Sequence, residues 1–123
     1  MVRGGQGWFA LCAVTLALAF ATACDDGPCS AMSVAGLDVN VLNASGEPVC
    51  DATVIARQES TFSEQLQLAG SVPNCFYRGL WDRNGTYLVD VTSGPESKSL
   101  REVKVSRRGC HVVTKVVTVT LDQ

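Results

Sequence analysis

The strongest constraint on this chain is the alternation of apolar and polar residues in short segments rich in valine and threonine. The segment Leu37–Val41 (LDVNV) alternates strictly, and Thr86–Val91 (TYLVDV) has the same period. Successive side chains of a β-strand point to opposite faces, so this period predicts strands with one buried face. No window of eleven residues combines a period of 3.6 with helix caps. The pattern therefore predicts an all-β fold.

Turn residues divide the chain into seven predicted strands. Their separators are rich in Gly, Pro, Asn and Asp, as at Ser93-Gly94-Pro95. Nothing in the sequence supplies the crossover helices of a parallel sheet, so we predict a single antiparallel β-sandwich of about seven strands. The first two strands are joined by a turn at 44–48 and should form a hairpin-like unit at the start of the domain. The predicted strands are Leu37–Val41, Cys50–Ala56, Glu64–Ala69, Asn74–Arg78, Thr86–Val91, Leu100–Val105 and His111–Leu121.

The same alternation predicts which side chains fill the core. The residues expected to face outward are Asp38, Asn40, Asp90, Glu102, Lys104 and Thr118. Those expected to face inward are Leu37, Val39, Val41, Ala52, Val54, Leu66, Leu68, Tyr87, Val89, Val91, Val103, Val105, Val117 and Val119.

An apolar stretch at the start of the chain predicts export. Arg3 precedes the segment Trp8–Phe20, which is too short for a membrane span of about 20 residues but suits the hydrophobic part of a signal peptide. Ala21-Thr22-Ala23-Cys24 then admits an ordinary cleavage site or a lipobox. It resembles the signal of bacterial lipoproteins, although that family usually has Leu where this chain has Ala21.

The resemblance to lipoproteins implies three parts of the chain. Residues 1–23 are a signal peptide that is removed, residues 24–35 are a tether lipidated at Cys24, and residues 36–123 are the β-sandwich domain. The protein is then held in the bacterial cell envelope by its lipid chains. Asp25 follows the lipidated cysteine, a position that sorts many lipoproteins to the inner membrane, but the membrane face stays open.

The cysteines favour lipidation and predict two disulfides. Five cysteines follow Ala23, and lipidation of Cys24 leaves four that can all pair in an oxidising compartment. Three connectivities are possible, and we favour Cys50 with Cys75 and Cys29 with Cys110. The clustered spacing of a zinc site is absent, so no metal and no cofactor are predicted.

Catalysis is not predicted. His111 is the single histidine, and its neighbour Cys110 points to the opposite face of a strand, so the two cannot easily act together. No G-x-S-x-G motif is present. We therefore interpret His111 as a surface residue at the start of a strand.

Two further groups of residues could contact a partner. The aromatic residues Phe76, Tyr77 and Trp81 could stack on sugar rings, or simply fill the core of a small sandwich. Basic residues spaced along the last third of the chain could meet anionic lipid headgroups, but we favour a role in keeping edge strands from pairing. These residues are Lys98, Arg101, Lys104, Arg107, Arg108 and Lys115.

Residues 36–121 resemble the carboxypeptidase regulatory-like domains, which are transthyretin-like (prealbumin-like) sandwiches. The shared features are a turn and strand at Gly46, Pro48, Val49, Ala52 and Val54, a strand at Gly85, Thr86, Tyr87, Val89 and Val91, and a late valine-rich strand. Members often have Gly-Tyr where this chain has Ser93-Gly94-Pro95-Glu96. The resemblance implies the fold and says little about activity.

These observations predict a lipid-anchored, non-catalytic binding or structural module with a carbohydrate-binding-like fold. Two alternatives are a carbohydrate-binding module and an accessory subunit of an envelope transporter or peptidase. The expected partners are the membrane, through the lipid anchor, and a protein or glycan. A formal net charge of -2 argues against nucleic acid.

Overall fold

The computed structural model describes residues 32–123, whose regular elements are all β-strands. The predicted signal peptide and Cys24 lie outside these residues. None of the described segments is a helix with the length and apolar character of a membrane span. The strands are β1 (Ala35–Leu42), β2 (Thr53–Gln58), β3 (Phe62–Gln65), β4 (Gln67–Ala69), β5 (Phe76–Trp81), β6 (Gly85–Ser93), β7 (Glu96–Arg108), β8 (His111–Val113) and β9 (Lys115–Thr120).

The strands form two sheets arranged as a sandwich, as predicted. One sheet has five strands in the order β8-β7-β6-β2-β3, and the other has four in the order β9-β1-β5-β4. Neighbouring strands are antiparallel except for β1 and β9, which are parallel and pair from Leu37 with Lys115 to Leu42 with Thr120. The expectation of a purely antiparallel sandwich is therefore wrong for this one pair.

The described residues contain nine strands rather than about seven, because two predicted strands each pass from one sheet to the other. The segment Glu64–Ala69 divides at Leu66, so that β3 joins the five-stranded sheet and β4 the four-stranded sheet. The segment His111–Leu121 divides in the same way at Thr114.

Each crossing residue is held by a hydrogen bond. The Leu66 amide donates to the Val54 carbonyl at 2.8 Å, and its side chain is buried. The Thr114 hydroxyl donates to the Ala35 carbonyl at 2.7 Å. These bonds satisfy polar groups at the crossings and place one chain segment in both layers.

The first two strands do not form a hairpin. β1 lies in the four-stranded sheet and β2 in the five-stranded sheet, so the connection at 43–52 crosses between layers. The Asn43 side chain accepts hydrogen bonds from the amides of Ser45 and Glu47, at 2.9 and 3.0 Å. The turn is therefore real, but it redirects the chain across the sandwich.

The predicted core is largely confirmed. Most of the inward residues are buried, Ala52 and Val117 are half-buried, and Tyr77, Leu80, Val112 and Leu121 join the core as well. The prediction was wrong for Leu68, which is 54% exposed. It pairs with buried Tyr77, but it lies on the three-residue edge strand β4, where the sandwich does not cover it.

The residues predicted to face outward differ in how far they are exposed to solvent. Glu102, Lys104 and Thr118 are exposed, whereas Asp38, Asn40 and Asp90 are half-buried. The half-buried carboxylates have cationic partners. Asp38 accepts two hydrogen bonds from Arg78, at 2.8 and 2.9 Å, and Asp90 accepts one from Arg57 at 2.7 Å.

The two ends of the sandwich are defined here because the site described below lies at one of them. The proximal end, where β1 begins, contains residues 32–34 and the connections 59–61, 82–84 and 109–110. The distal end contains the connections 43–52, 70–75 and 94–95 and the terminal residues 121–123. The described chain enters at the proximal end and finishes at the distal end.

Candidate functional site

The three predicted contact aromatics do not form one surface. Phe76 begins β5 at the distal end and is half-buried, whereas Trp81 ends β5 at the proximal end and is 50% exposed. Tyr77 is 3% exposed and belongs to the core. A stack of all three on one sugar chain is therefore excluded by their placement.

Tyr77 stabilises the distal end through the hydrogen bonds of its buried side chain. Its hydroxyl donates to the Val49 carbonyl at 2.8 Å and accepts from the Ala52 amide at 2.9 Å. Burial is the main reason that the pKa of Tyr77 lies above its usual value, and the Ala52 hydrogen bond acts against it. The side chain has a structural role in holding the 43–52 connection to β5.

The disulfide between Cys50 and Cys75 is confirmed. It joins the 43–52 connection to the start of β5, with a Cα–Cα distance of 5.7 Å. Cys110, at the proximal end, is also disulfide-bonded. Its predicted partner Cys29 lies outside the described residues, as does Cys24, so that pairing stays a prediction.

Arg107 joins two connections of the proximal end. Its guanidinium donates to the Asp82 carbonyl at 2.7 Å, to the Cys110 carbonyl at 2.8 Å and to the Asn84 side-chain oxygen at 3.1 Å. The guanidinium of arginine presents five donors in a fixed planar fork and reaches acceptors on different sides, whereas the ammonium of lysine is a compact point charge with three donors. Arg107 thereby fixes the 82–84 connection against the turn that carries Cys110.

His111 is not the isolated surface histidine that the sequence predicted. Its Nδ1 lies 3.1 Å from Asp82 Oδ1, and this contact is the main reason that the pKa of Asp82 is lowered. Its Nε2 is buried and has no hydrogen-bond partner among the described residues. A histidine acting as a base would need Nε2 within reach of a nucleophile or water. This geometry joins two segments of the proximal end and does not present a base.

A second tyrosine closes the proximal end. The Tyr87 hydroxyl donates to the Asn84 and Arg83 carbonyls, at 3.0 and 3.3 Å. Burial is the main cause of its raised pKa. Arg83 in turn lies over the Phe62 ring, with 3.6 Å from its guanidinium carbon to the ring centre. Side chains of the five-stranded sheet therefore fix the 82–84 connection, and neighbouring Trp81 leaves β5 at a defined position.

The basic residues mostly lie on β7. β8 pairs only with Ser106–Arg108, so the remainder of β7 has β6 on one side and no described strand on the other. Lys98, Arg101 and Lys104 are spaced along this open length, which agrees with a role in preventing edge pairing. Lys115 begins the other edge strand, β9, whereas Arg107 and Arg108 belong to the proximal end.

A cleft of about 550 Å³, lined by several charged residues, lies where β7 bulges. Leu100 pairs with Val89 and Val103 with Tyr87, so Arg101 and Glu102 together oppose one residue of β6. Glu102 has a φ of 56° at this bulge. The cleft combines two guanidinium groups with two carboxylates. Its lining residues are Arg57, Gln58, Glu59, Thr61, Thr86, Tyr87, Leu88, Arg101 and Glu102.

An ion pair beside the cleft already uses one of these cations. Asp90 accepts from the Ser99 hydroxyl at 2.5 Å and from Arg57 at 2.7 Å, and these bonds, with Ser99 first, lower the pKa of Asp90. Nowhere in residues 32–123 are three His, Cys, Asp or Glu side chains grouped as metal ligands. The charged residues of the cleft and this ion pair together form a network of charges on the outer face of the five-stranded sheet.

No protein-family model matches the chain, and no curated protein matches it significantly. The resemblances to lipoproteins and to carboxypeptidase regulatory-like domains therefore remain proposals.

Sequence reasoning missed the ties of the proximal end. Arg107, Asp82 and His111 are far apart in sequence, and each is of a residue type that is common in solvated turns. The one available signal was the turn-forming residues at 82–85 and 107–109, which correctly predicted two connections between strands. It gave no indication that they are neighbours in space.

Proposed function

We propose that this protein is a lipoprotein of the bacterial cell envelope whose β-sandwich is a non-catalytic binding or structural module. Lipid chains on Cys24 would hold the protein to the membrane, and the sandwich would be displayed on a tether of a few residues. The proposed mechanism is presentation of a rigid domain at a fixed distance from the bilayer.

The observation that carries the proposal is the disulfide content of the described domain. Cys50–Cys75 closes the distal end and Cys110 is disulfide-bonded at the proximal end. Disulfides persist in exported proteins and are rare in the reducing cytosol, so they support export by the apolar leader. Pairing of Cys29 with Cys110 would leave Cys24 as the one cysteine of residues 24–123 available for lipid.

The fixed geometry of His111 supports a non-catalytic role. One ring nitrogen contacts Asp82, and the other is buried away from solvent. Proton transfer to a substrate would require breaking this arrangement. The tyrosine hydroxyls are likewise bonded to backbone groups, in positions that stabilise connections.

Intact-mass analysis of the membrane fraction, with and without reductant, tests the proposal. We expect a chain that begins at Cys24, carries acyl groups and gains four hydrogens on reduction. A Cys24→Ser variant is the matched control, because it should lose the acyl groups and leave the membrane while retaining both disulfides. A wild-type chain that is soluble and unmodified at Cys24 would contradict the proposal.

The alternative of an accessory subunit is favoured by one edge of the four-stranded sheet. β9 pairs only with β1, so the described residues place no strand on its other side. Its apolar side chain Val116 is 59% exposed, and its one charged residue is Lys115. An edge of this kind can accept a strand from a partner protein.

Photo-crosslinking in living cells distinguishes this role. A photoreactive residue at position 116 should give one discrete protein adduct if β9 is the docking edge. The same residue at exposed position 104, on the charged edge of β7, is the matched control and should give none. Equal or absent labelling at both positions would contradict the accessory role.

A further inference from the structure

We propose that the proximal end of the sandwich rests on the surface of the bilayer, with Trp81 at the lipid–water interface and arginines against anionic headgroups. This inference rests on the proposed lipid anchor and goes beyond it, because an anchor alone does not determine which face of the domain meets the membrane.

The first ground for this orientation is the position at which the described chain enters the sandwich. The Asp82 amide donates to the Val34 carbonyl at 2.8 Å, and Ala35 pairs with Trp81. The eight residue steps from Cys24 to Met32 span at most about 29 Å when fully extended. Trp81 and the 82–84 connection therefore lie beside the point at which the described chain enters the sandwich.

The exposed apolar groups supply the second step. Trp81 is 50% exposed although it ends a strand whose preceding residue, Leu80, is completely buried. Met32 and Val113, which lie next to the same entry point, are exposed as well. Tryptophan is enriched where one end of a side chain meets lipid and the other meets water.

Charge supplies the third step, because the two ends differ in sign when the two strand residues that flank each connection are counted with it. The proximal end then carries the cations Arg57, Arg83, Arg107 and Arg108 and the carboxylates Glu59 and Asp82. The distal end carries four carboxylates and no cation among the described residues, and Lys98 lies one residue further along β7. These carboxylates are Glu47, Asp51, Glu96 and Asp122. Anionic lipid attracts basic residues close to its surface and repels the acidic distal end.

The fixed backbone of the proximal end supplies the last step. Arg107, Tyr87 and the contact of Asp82 with His111 hold the 82–84 connection in one conformation. Trp81 and Arg83 are thus presented on a rigid surface. Little conformational freedom is lost when such a surface meets the membrane.

Fluorescence of the mature, lipidated protein in vesicles of phosphatidylethanolamine and phosphatidylglycerol tests the inference. Trp81 is the single tryptophan of residues 24–123, because the other tryptophan, Trp8, lies in the predicted signal peptide. We expect its emission to shift to shorter wavelength and to be quenched by phospholipids brominated near the headgroup. High salt should weaken the quenching, since it screens the arginines.

A reporter at the distal end is the matched control. Val72→Trp in a Trp81→Phe background places one tryptophan at an exposed distal position, and we expect its emission to be unquenched. Arg83→Glu with Arg108→Glu should reduce the quenching of Trp81, whereas Lys98→Glu should not. Circular dichroism spectra of the variants should match that of the wild type.

The outcomes separate the inference from the anchor. Acylated protein on vesicles with unquenched Trp81, or with both reporters quenched equally, would overturn the proximal orientation and leave the anchor intact. Absence of acyl groups in the mass spectrum of the same sample would overturn the anchor and the orientation together. Quenching confined to Trp81 supports both.

Discussion

The connections at the two ends of the sandwich are held by different kinds of interaction. At the distal end a long connection is held by a covalent bond, Cys50–Cys75, and by the buried hydroxyl of Tyr77. The proximal end also has a disulfide, at Cys110, and a buried tyrosine, Tyr87, but its short connections are held in addition by side chains that remain partly in water, chiefly Arg107 and the contact of Asp82 with His111. The difference teaches that the distal end is fixed from within, whereas the proximal end adds charged contacts at its surface.

Removal of the disulfides is expected to have the largest effect. In the loop-entropy approximation, the Cys50→Ser/Cys75→Ser variant should lose at most about 3.5 kcal/mol of unfolding free energy. The Cys29→Ser/Cys110→Ser variant should lose at most about 4.5 kcal/mol, because it opens a longer loop. Urea denaturation measures both. No measurable loss for the second pair would contradict the pairing of Cys29 with Cys110.

Removal of one hydroxyl compares the two tyrosines directly. Tyr77→Phe leaves the Val49 carbonyl and the Ala52 amide without their partner and should cost about 1–3 kcal/mol. Tyr87→Phe removes weaker bonds to Asn84 and Arg83 and should cost about 0.5–1.5 kcal/mol. The midpoints of thermal unfolding check this order. Equal losses would show that the ends depend on their tyrosines to the same extent.

Substitution of Arg107 tests the proximal ties alone. Arg107→Lys keeps the charge but loses the fork, and we expect a cost of about 1 kcal/mol with faster amide exchange at 82–84. Amide exchange at the distal 43–52 connection should not change. Arg108→Ala, at the adjacent exposed position, is the control and should leave exchange at both ends unchanged. Faster exchange at both ends in Arg107→Lys would refute a local role.

Acidification should have the smallest effect. The pKa values of Asp82 and Asp90 are lowered, by His111 and by Ser99 with Arg57 respectively. Each carboxylate therefore contributes stability that is present above its unfolded pKa, near 4, and is lost as the pH falls through its lower folded pKa. Asp82→Asn and Asp90→Asn should each flatten the fall in thermal stability between neutral and acid pH. Curves parallel to that of the wild type would contradict these assignments.

The sequence predicted the layers of this fold better than its connections. Alternation identified inward residues such as Val39, Val89 and Val105, because a strand repeats every two residues whatever its neighbours are. The same rule could not show that Leu66 and Thr114 pass between sheets. The apolar residues Leu66 and Leu68 continue the period of two through the first crossing, and the valines on both sides of Thr114 hide the change of phase at the second. The hydrogen bonds to Val54 and Ala35 reveal both crossings.

Of the site, the sequence predicted the covalent part. Cysteines have few partners to choose from, so Cys50–Cys75 could be selected among three connectivities. Arginines, aspartates and tyrosines have many potential partners. The contacts of Arg107 and the burial of Tyr77 are determined by which loops the fold places side by side, and no local pattern encodes that arrangement.

The parallel pairing of β1 and β9 determines how the domain would respond to mechanical force. β1 starts at the proximal end and β9 finishes at the distal end, with six residue pairs between them. Tension applied between the residues that lead into β1 and a partner bound near the C-terminus would pull the two strands past each other along their length. All six pairs would then bear the force at once, whereas the pairs of a hairpin pulled apart at its open end break one after another. The domain would therefore resist extension far better in this direction than across the sheet.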